Sequence, residues 1–382
     1  MLHVARIEEA IRYALQRPDL DETGLLLWLR RQFPPLVASQ AVQQFRLRQR
    51  ARRKFSRADQ MWFTPEGLEQ SSSEVLATYH ASRYPQNVLT VDAGCGIGGD
   101  LIALAKRGET AGVERDPLCL QYARRNVEVY QVEHNCRFVH ADLLRLRLQE
   151  APFLFMDPAR RTGGRRSSSS DEWQPNWATV CRLALSVRGA LVKTSPALSP
   201  ELIPLECERE YVSVDGECRE LLLAFGECKQ GASLSALVLP EGARLIAADA
   251  PAPVMRAPME WIYDPDPAIV AAHLLPELAQ ILTGYLLHPR IAYLTAERYV
   301  HTPFARAYRL IERFPYSRKR LFERLRALRA GSLTVKKRGV NISPEQLVRA
   351  WHPVGERRIT VILYRSDTGV NALLAESPSP CA

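Results

Sequence analysis

The sequence predicts a mixed α/β protein built on a doubly wound parallel sheet, with a helical region before it and a small α+β domain after it. Three observations carry this. Apolar, β-branched runs alternate with helical periodicity from Val88 to Leu239, the pattern of successive βαβ units. The segment Val88–Leu101, V-L-T-V-D-A-G-C-G-I-G-G-D-L, reads as a strand, a glycine-packed turn and a helix start. Residues 1–85 carry apolar side chains at helical spacing, with no strand patterning.

In chain order, Ile7, Ile11 and Ala14–Leu15 form one helical stripe, Leu25–Leu29 a second, and Ala38–Phe55 a long third helix. Met61-Trp62-Phe63-Thr64-Pro65 breaks the pattern, and Glu66–Tyr84 resumes as a helix. The core sheet follows, its fifth strand at Ala190–Thr194 and its closing hairpin at Glu210–Val214 and Glu220–Gly226, turned by Asp215-Gly216. Residues 241–265, rich in Ala and Pro, read as a linker, and Asp266–Leu287 as helical. A last unit reads as strand, basic helix, strand Ser332–Lys337, helix Pro344–Trp351 and a strand pair. The expected domains are therefore 1–85, 86–240, a connection over 241–303, and 304–376.

The glycine turn carries the first chemistry. Gly94, Gly96 and Gly98 let backbone approach a ligand and adopt φ > 0. Gly94-x-Gly96-x-x-Gly99 alone also fits a dinucleotide site. Asp92, at the end of the strand, separates the two: it repels a pyrophosphate but attracts the sulfonium and amino groups of S-adenosylmethionine. Glu114, at the tip of the next strand, is placed to accept both ribose hydroxyls, a device nicotinamide enzymes share. Asp142 follows a third strand and is placed to accept from an adenine amino group. Phe153–Arg161, F-L-F-M-D-P-A-R-R, ends a fourth strand in Asp157-Pro158, where a transferred methyl would lie.

Composition bounds the rest. With 382 residues, 46% apolar and 24% charged, the chain has material for two or three globular domains. No run approaches the about 18 apolar residues of a membrane span. The N-terminus does not read as a secretion signal, the eight cysteines show no C-x-x-C pair, and the eight histidines show no ligand spacing. The expectation is free thiols, a cytoplasmic location and no structural metal. The net charge of +9 is clustered: Arg46–Arg57 holds seven basic residues and no acid, and Arg160–Arg166, Arg318–Arg329 and Lys336-Lys337-Arg338 add more. Such clusters either attract polyanions or form solvated helix faces.

These motifs together resemble the class I S-adenosylmethionine-dependent methyltransferases that carry a C-terminal THUMP-like domain. The resemblance runs through W-F-T-P-E-G-L-E-Q (62–70), D-A-G-C-G-I-G-G-D (92–100), D-P-A-R-R (157–161), V-K-T-S-P (192–196), Y-D-P-D-P-A (263–268) and V-K-K-R-G (335–339). It implies a Rossmann-like methyltransferase sheet, and cofactor contacts at Asp92, Gly94, Gly96, Gly98, Glu114 and Asp142. It further implies a catalytic-face role for Asp157; beside it Pro158 and Arg160 are read as catalytic, and Arg161, Lys193, Lys336, Lys337 and Arg338 as contacts to the substrate. True THUMP domains bind tRNA, so the implied partner is RNA, either tRNA or rRNA.

The expected reaction is an in-line methyl transfer for which the protein mainly positions the partners. An Asp157 carboxylate can accept from a nucleobase nitrogen. Where enzymes acting on exocyclic amines place a stacking aromatic, this chain has Arg160, whose guanidinium can stack on a base or hold a phosphate. Methylation at pyrimidine C5 requires a cysteine nucleophile, and Lys193-Thr194-Ser195-Pro196 stands where that cysteine is found in such enzymes. The reading is therefore N- or O-methylation of an RNA nucleobase. A non-catalytic RNA-binding protein and a methyltransferase for proteins or small molecules are the alternatives.

Overall fold

The computed structural model describes residues 2–146, 152–158, 161–162, 165–166 and 175–378. The chain divides into two compact units, the first holding Met1–Thr194, Leu198–Glu208 and Leu222–Gly231, the second Ser195–Ala197, Arg209–Leu221 and Ala232–Ala382.

In the first unit, α1 (Leu2–Ala14), α2 (Glu22–Leu29) and α3 (Pro35–Ala51) bury Ile7, Ile11, Leu25, Leu29, Val42 and Phe45 against one another. The pattern over Glu66–Tyr84 predicts one helix, but the chain forms two, α4 (Pro65–Gln70) and α5 (Glu74–Ser82). The Lys54 ammonium donates to the carbonyls of Leu68, Glu69 and Ser71 at 2.7, 3.0 and 2.7 Å, which ends α4. The run Ser71-Ser72-Ser73 then leaves helical geometry, as serines readily do when other hydrogen bonds are offered.

The sheet of this unit contains β1 (Thr90–Ala93), β2 (Thr110–Glu114), β3 (Cys136–His140) and β4 (Phe153–Met156). Between them lie α6 (Gly99–Ala105) and α7 (Pro117–Val129). A short antiparallel pair, β5 (Arg161–Thr162) and β6 (Arg165–Arg166), precedes α8 (Trp177–Ser186) and β7 (Gly189–Thr194). Next come β8 (Glu208–Val214) and β9 (Glu217–Gly226), and the unit's strands stand in the order β9-β7-β4-β1-β2-β3. β1 pairs in parallel with β2 and β4, β2 with β3, and β4 with β7. β1 and β4 are buried on both faces, which explains their continuous apolar character. The parallel order aligns the C-terminal tips of these strands along one edge, where Asp92, Glu114, Asp157 and Lys193 stand.

In the second unit, β8 and the start of β9 are joined at Asp215-Gly216, both with positive φ (52° and 76°), the geometry of a tight hairpin turn. β10 (Leu234–Leu239) runs parallel to β8, and β11 (Ala243–Ile246) antiparallel to β10. A second sheet has the order β13-β14-β12-β15-β18-β17-β16. Its strands are β12 (Trp261–Pro265), β13 (Tyr285–His288), β14 (Ile291–Ala296), β15 (Ala305–Pro315), β16 (Ala330–Arg338), β17 (Arg357–Ser366) and β18 (Gly369–Glu376). The expected linker over 241–265 thus contributes two strands. The expected helix over Asp266–Leu287 is two short ones, α9 (Pro267–Ala271) and α10 (Leu275–Leu282), followed by β13. His273 and Thr283 take left-handed backbone (φ 57° and 48°) and end the two helices. The anticipated alternation near the C-terminus is present as β15, α11 (Arg318–Ala327), β16, α12 (Pro344–Ala350), β17 and β18. On α11, Leu321 and Leu325 face inward, and Phe314, Trp351 and Ile359 complete that core. Among the described residues, no helix is long and apolar enough to cross a membrane.

Candidate functional site

The glycine turn folds back on the neighbouring strand. Gly94 and Cys95 both donate to the Val113 carbonyl at 2.9 Å, and Gly94, Gly96 and Gly98 have φ of 103°, 54° and 89°. A methyl group built on Gly94 or Gly96 meets nothing within 4 Å, so the turn leaves open space on the ligand side. Gly98 is different: there a Cβ would stand 3.4 Å from Ala123 on α7, so this glycine also serves helix packing.

Glu114 staples the same turn. One carboxylate oxygen accepts from Gly96 N–H at 2.9 Å, and the other accepts from Arg115 and Asp116 N–H at 2.8 and 2.9 Å. Asp142 is exposed and caps the turn Leu143–Arg145, accepting from Leu144 N–H at 3.0 Å.

Asp92 is the most unusual group. It is 3% exposed, and its Oδ2 has no hydrogen-bond partner. Burial pushes its carboxyl well above the usual carboxylate range, and the charges of Asp100, Asp157 and Glu114 push in the same direction, against Lys193. Its neighbour Asp100 behaves oppositely. Burial is the largest single influence and raises it, yet the His80 hydrogen bond and charge, Lys193 and Ser72 together hold it below the usual range. His80 Nδ1 lies 2.7 Å from Asp100 Oδ1, and the imidazole stacks on Phe155 with ring centroids 5.1 Å apart.

Asp157 forms an ion pair with Lys193, whose ammonium also donates to Ser72 Oγ at 3.2 Å. Pro158 is buried beside it. Arg160 lies outside the described residues, and for Arg161 only the backbone, in β5, is described.

The segment at 62–70 belongs to this site by contact. Asn126 on α7, fully buried, donates to the carbonyls of Trp62 and Ile97 at 2.9 and 2.8 Å and accepts from Trp62 N–H at 2.8 Å. Thr64 Oγ1 accepts from Gly67 N–H at 2.9 Å to cap α4, and a Cβ on Gly67 would stand 2.6 Å from Ile97. This segment therefore clamps the glycine turn from above. Sequence reasoning missed Ser72, His80, Asp100 and Asn126 as parts of the site; Asp100, inside the quoted glycine motif, carried the one available signal.

The basic clusters are partly consumed by the fold. In the first unit, Arg48 is buried on Glu8 and the Met61 carbonyl, Lys54 ends α4, Arg52 pairs with Asp59, and Arg57 donates to the Val129 carbonyl. Arg50 and Arg53 remain exposed. In the second unit, Lys336 and Arg338 pair with Asp264 at 3.1 and 2.9 Å, while Lys337, on the opposite face of β16, is exposed. Lys319 and Arg326 on α11 are exposed as well.

Burial raises Cys95 well above its ordinary value, and it pushes Cys218 and Cys228 up to about 12.

The profile of the methyltransferase-domain family matches residues 90–156, and that of the THUMP domain-like family matches residues 305–377. Two proteins of Mycobacterium tuberculosis, strains CDC 1551 / Oshkosh and ATCC 25618 / H37Rv, are named uncharacterised S-adenosylmethionine-dependent methyltransferases. Each is 32% identical over 317 residues, 81% of this chain and 86% of theirs. The crystal structure of a protein assigned as a methyltransferase from Porphyromonas gingivalis W83 shares the fold, with a TM-score of 0.78, 21% identity and 98% of each chain covered. The chain belongs to the S-adenosylmethionine-dependent methyltransferase family.

Proposed function

We propose that this methyltransferase acts on RNA, transferring the methyl group to a nucleobase nitrogen or oxygen of tRNA or rRNA and not to pyrimidine C5. The cofactor is fitted by the chain's own chemistry. A buried carboxylate oxygen without a partner, at the lip of a turn with open space above Gly94 and Gly96, suits a cationic ligand with no phosphate. In this reading Asp92, Gly94, Gly96 and Gly98 hold the amino-acid and sulfonium end, Glu114 the ribose, and Asp142 the adenine. When bound, S-adenosylmethionine supplies an electrophilic methyl group on sulfur.

The chain's part is to orient and to accept a proton. Asp157 keeps one oxygen on Lys193, and the other accepts from the N–H of the base. Lys193-Thr194-Ser195-Pro196 offers no cysteine at the end of β7 to attack a pyrimidine C6, which supports N- or O-transfer.

The observation that carries the RNA reading is the THUMP domain-like match over 305–377, with Lys319, Arg326 and Lys337 exposed on that segment. Binding of the full chain to purified tRNA should weaken linearly in log–log terms as salt rises, with a slope set by the phosphates contacted. A flat salt dependence would remove RNA as the partner.

A further inference from the structure

We propose that Lys193, held in place by Ser72, forms the subsite for the α-carboxylate of the cofactor's amino-acid moiety, beside Asp92, which takes its α-ammonium. The strand order β7-β4-β1 puts Lys193, Asp157 and Asp92 on three adjacent tips, with Met156 and Val192 in register just before Asp157 and Lys193. The Lys193 ammonium does not stay above its own strand. It reaches Asp157 at the next tip and Ser72 Oγ at 3.2 Å. Ser72 in turn lies against the start of α6, where a Cβ on Gly99 would stand 3.5 Å from its carbonyl oxygen. The ammonium therefore bridges the β4 tip and the segment that packs on the start of α6, on the side of the sheet edge where Asp92 stands.

Two further features make this a built site. Ser72 is 3% exposed and hydrogen-bonded to Asp100, which the buried His80 holds in place. Asp100, Asp157 and Glu114 all act on Asp92, a set of acids that suits the ligand's cationic groups but repels its carboxylate. Lys193 is the cation placed among these acids, only 14% exposed at its side chain. Asp92 and Lys193 thus present the opposite charges a zwitterionic α-amino acid requires. The inference rests on the cofactor and not on the RNA reading.

The test is calorimetric titration of the full-length protein with S-adenosylhomocysteine and with 5′-methylthioadenosine, which lacks the ammonium and carboxylate. Lys193→Met should weaken S-adenosylhomocysteine binding about tenfold or more, as expected for a lost charge-assisted hydrogen bond, and leave methylthioadenosine within about twofold. Ser72→Ala should do the same to a lesser degree, about threefold, and decides the matter if Lys193→Met does not fold. An equal loss for both ligands would mean that Lys193 only shapes the pocket, and no loss for either would mean that it serves another anion, such as an RNA phosphate; each overturns the assignment.

Discussion

Asp92, proposed above to face the cofactor's cationic end, would tie cofactor binding to a proton. The carboxyl is 3% exposed, one oxygen has no partner, and three other acids face it with Lys193 as the opposing charge. In the free protein this holds the group above the usual carboxylate range, so the folded state binds a proton that the unfolded chain releases. The stability contributed by the neutral form is complete below the unfolded value and is lost as pH rises through the folded value. Above that, the buried charge opposes folding. Asp92→Asn removes the titration and should leave the free protein more stable at neutral pH than the wild type, by about 1.4 kcal/mol for each pH unit over which the folded carboxyl keeps a proton that the unfolded one has lost. In the proposed complex the cationic end of the cofactor favours the ionised form and lowers the value, so binding should release protons and tighten with pH. The limiting slope is one decade per pH unit, about 1.4 kcal/mol. Calorimetry with S-adenosylhomocysteine in buffers of different ionisation enthalpy counts the protons released, and thermal melting of Asp92→Asn without ligand reads the stability. No proton release from the wild type, together with an Asp92→Asn variant no more stable than it, would refute the reasoning.

Other perturbations separate the parts of the site. Asp157→Ala should keep S-adenosylhomocysteine affinity within about twofold while methyl transfer falls by about 10²-fold or more, the scale of a lost proton acceptor, in a single-turnover assay. Gly94→Ala places a methyl in open space at φ 103°, so a strain of about 1–2 kcal/mol and a loss of cofactor affinity are expected together, read by melting and by titration. Asn126→Ala leaves three buried backbone groups around Trp62 and Ile97 without their partner; denaturant unfolding should show a loss of about 2–4 kcal/mol. Lys337→Ala should lower the salt slope of RNA binding by about one and leave stability unchanged. Lys336→Ala combined with Arg338→Ala strands the mostly buried Asp264 and should instead lower the melting temperature.

The strand-tip acids were legible because they are local. Asp92 and Glu114 close their strands and Asp157 follows one, and β-periodicity with the glycine spacing marks those positions without knowledge of what packs on them. Ser72, His80 and Asn126 were not, because their roles arise from contacts between distant segments: Ser72 with Lys193, His80 with Asp100, Asn126 with Trp62. A serine in a serine run, or a lone histidine on an apolar helix face, carries no trace of such partners. Charge counting failed for a related reason. The seven cations of Arg46–Arg57 read as one face, yet Arg48 and Lys54 are turned inward onto carbonyl oxygens. The same Lys54 contacts broke the helix that periodicity predicts over Glu66–Tyr84, and that break delivers Ser72 to Lys193. In the second unit, β12 and β13 were hidden because their strand character comes from pairing with β14 and β15.

The central claim, methyl transfer to RNA at the β4 tip, is tested most directly by incubating the purified protein with methyl-labelled S-adenosylmethionine and total RNA from a strain that lacks it. Label confined to a tRNA or rRNA fraction, lost with Asp157→Ala although that variant still binds cofactor, is the predicted result. Unlabelled RNA from a protein that binds S-adenosylmethionine would contradict the account and direct the search to protein acceptors.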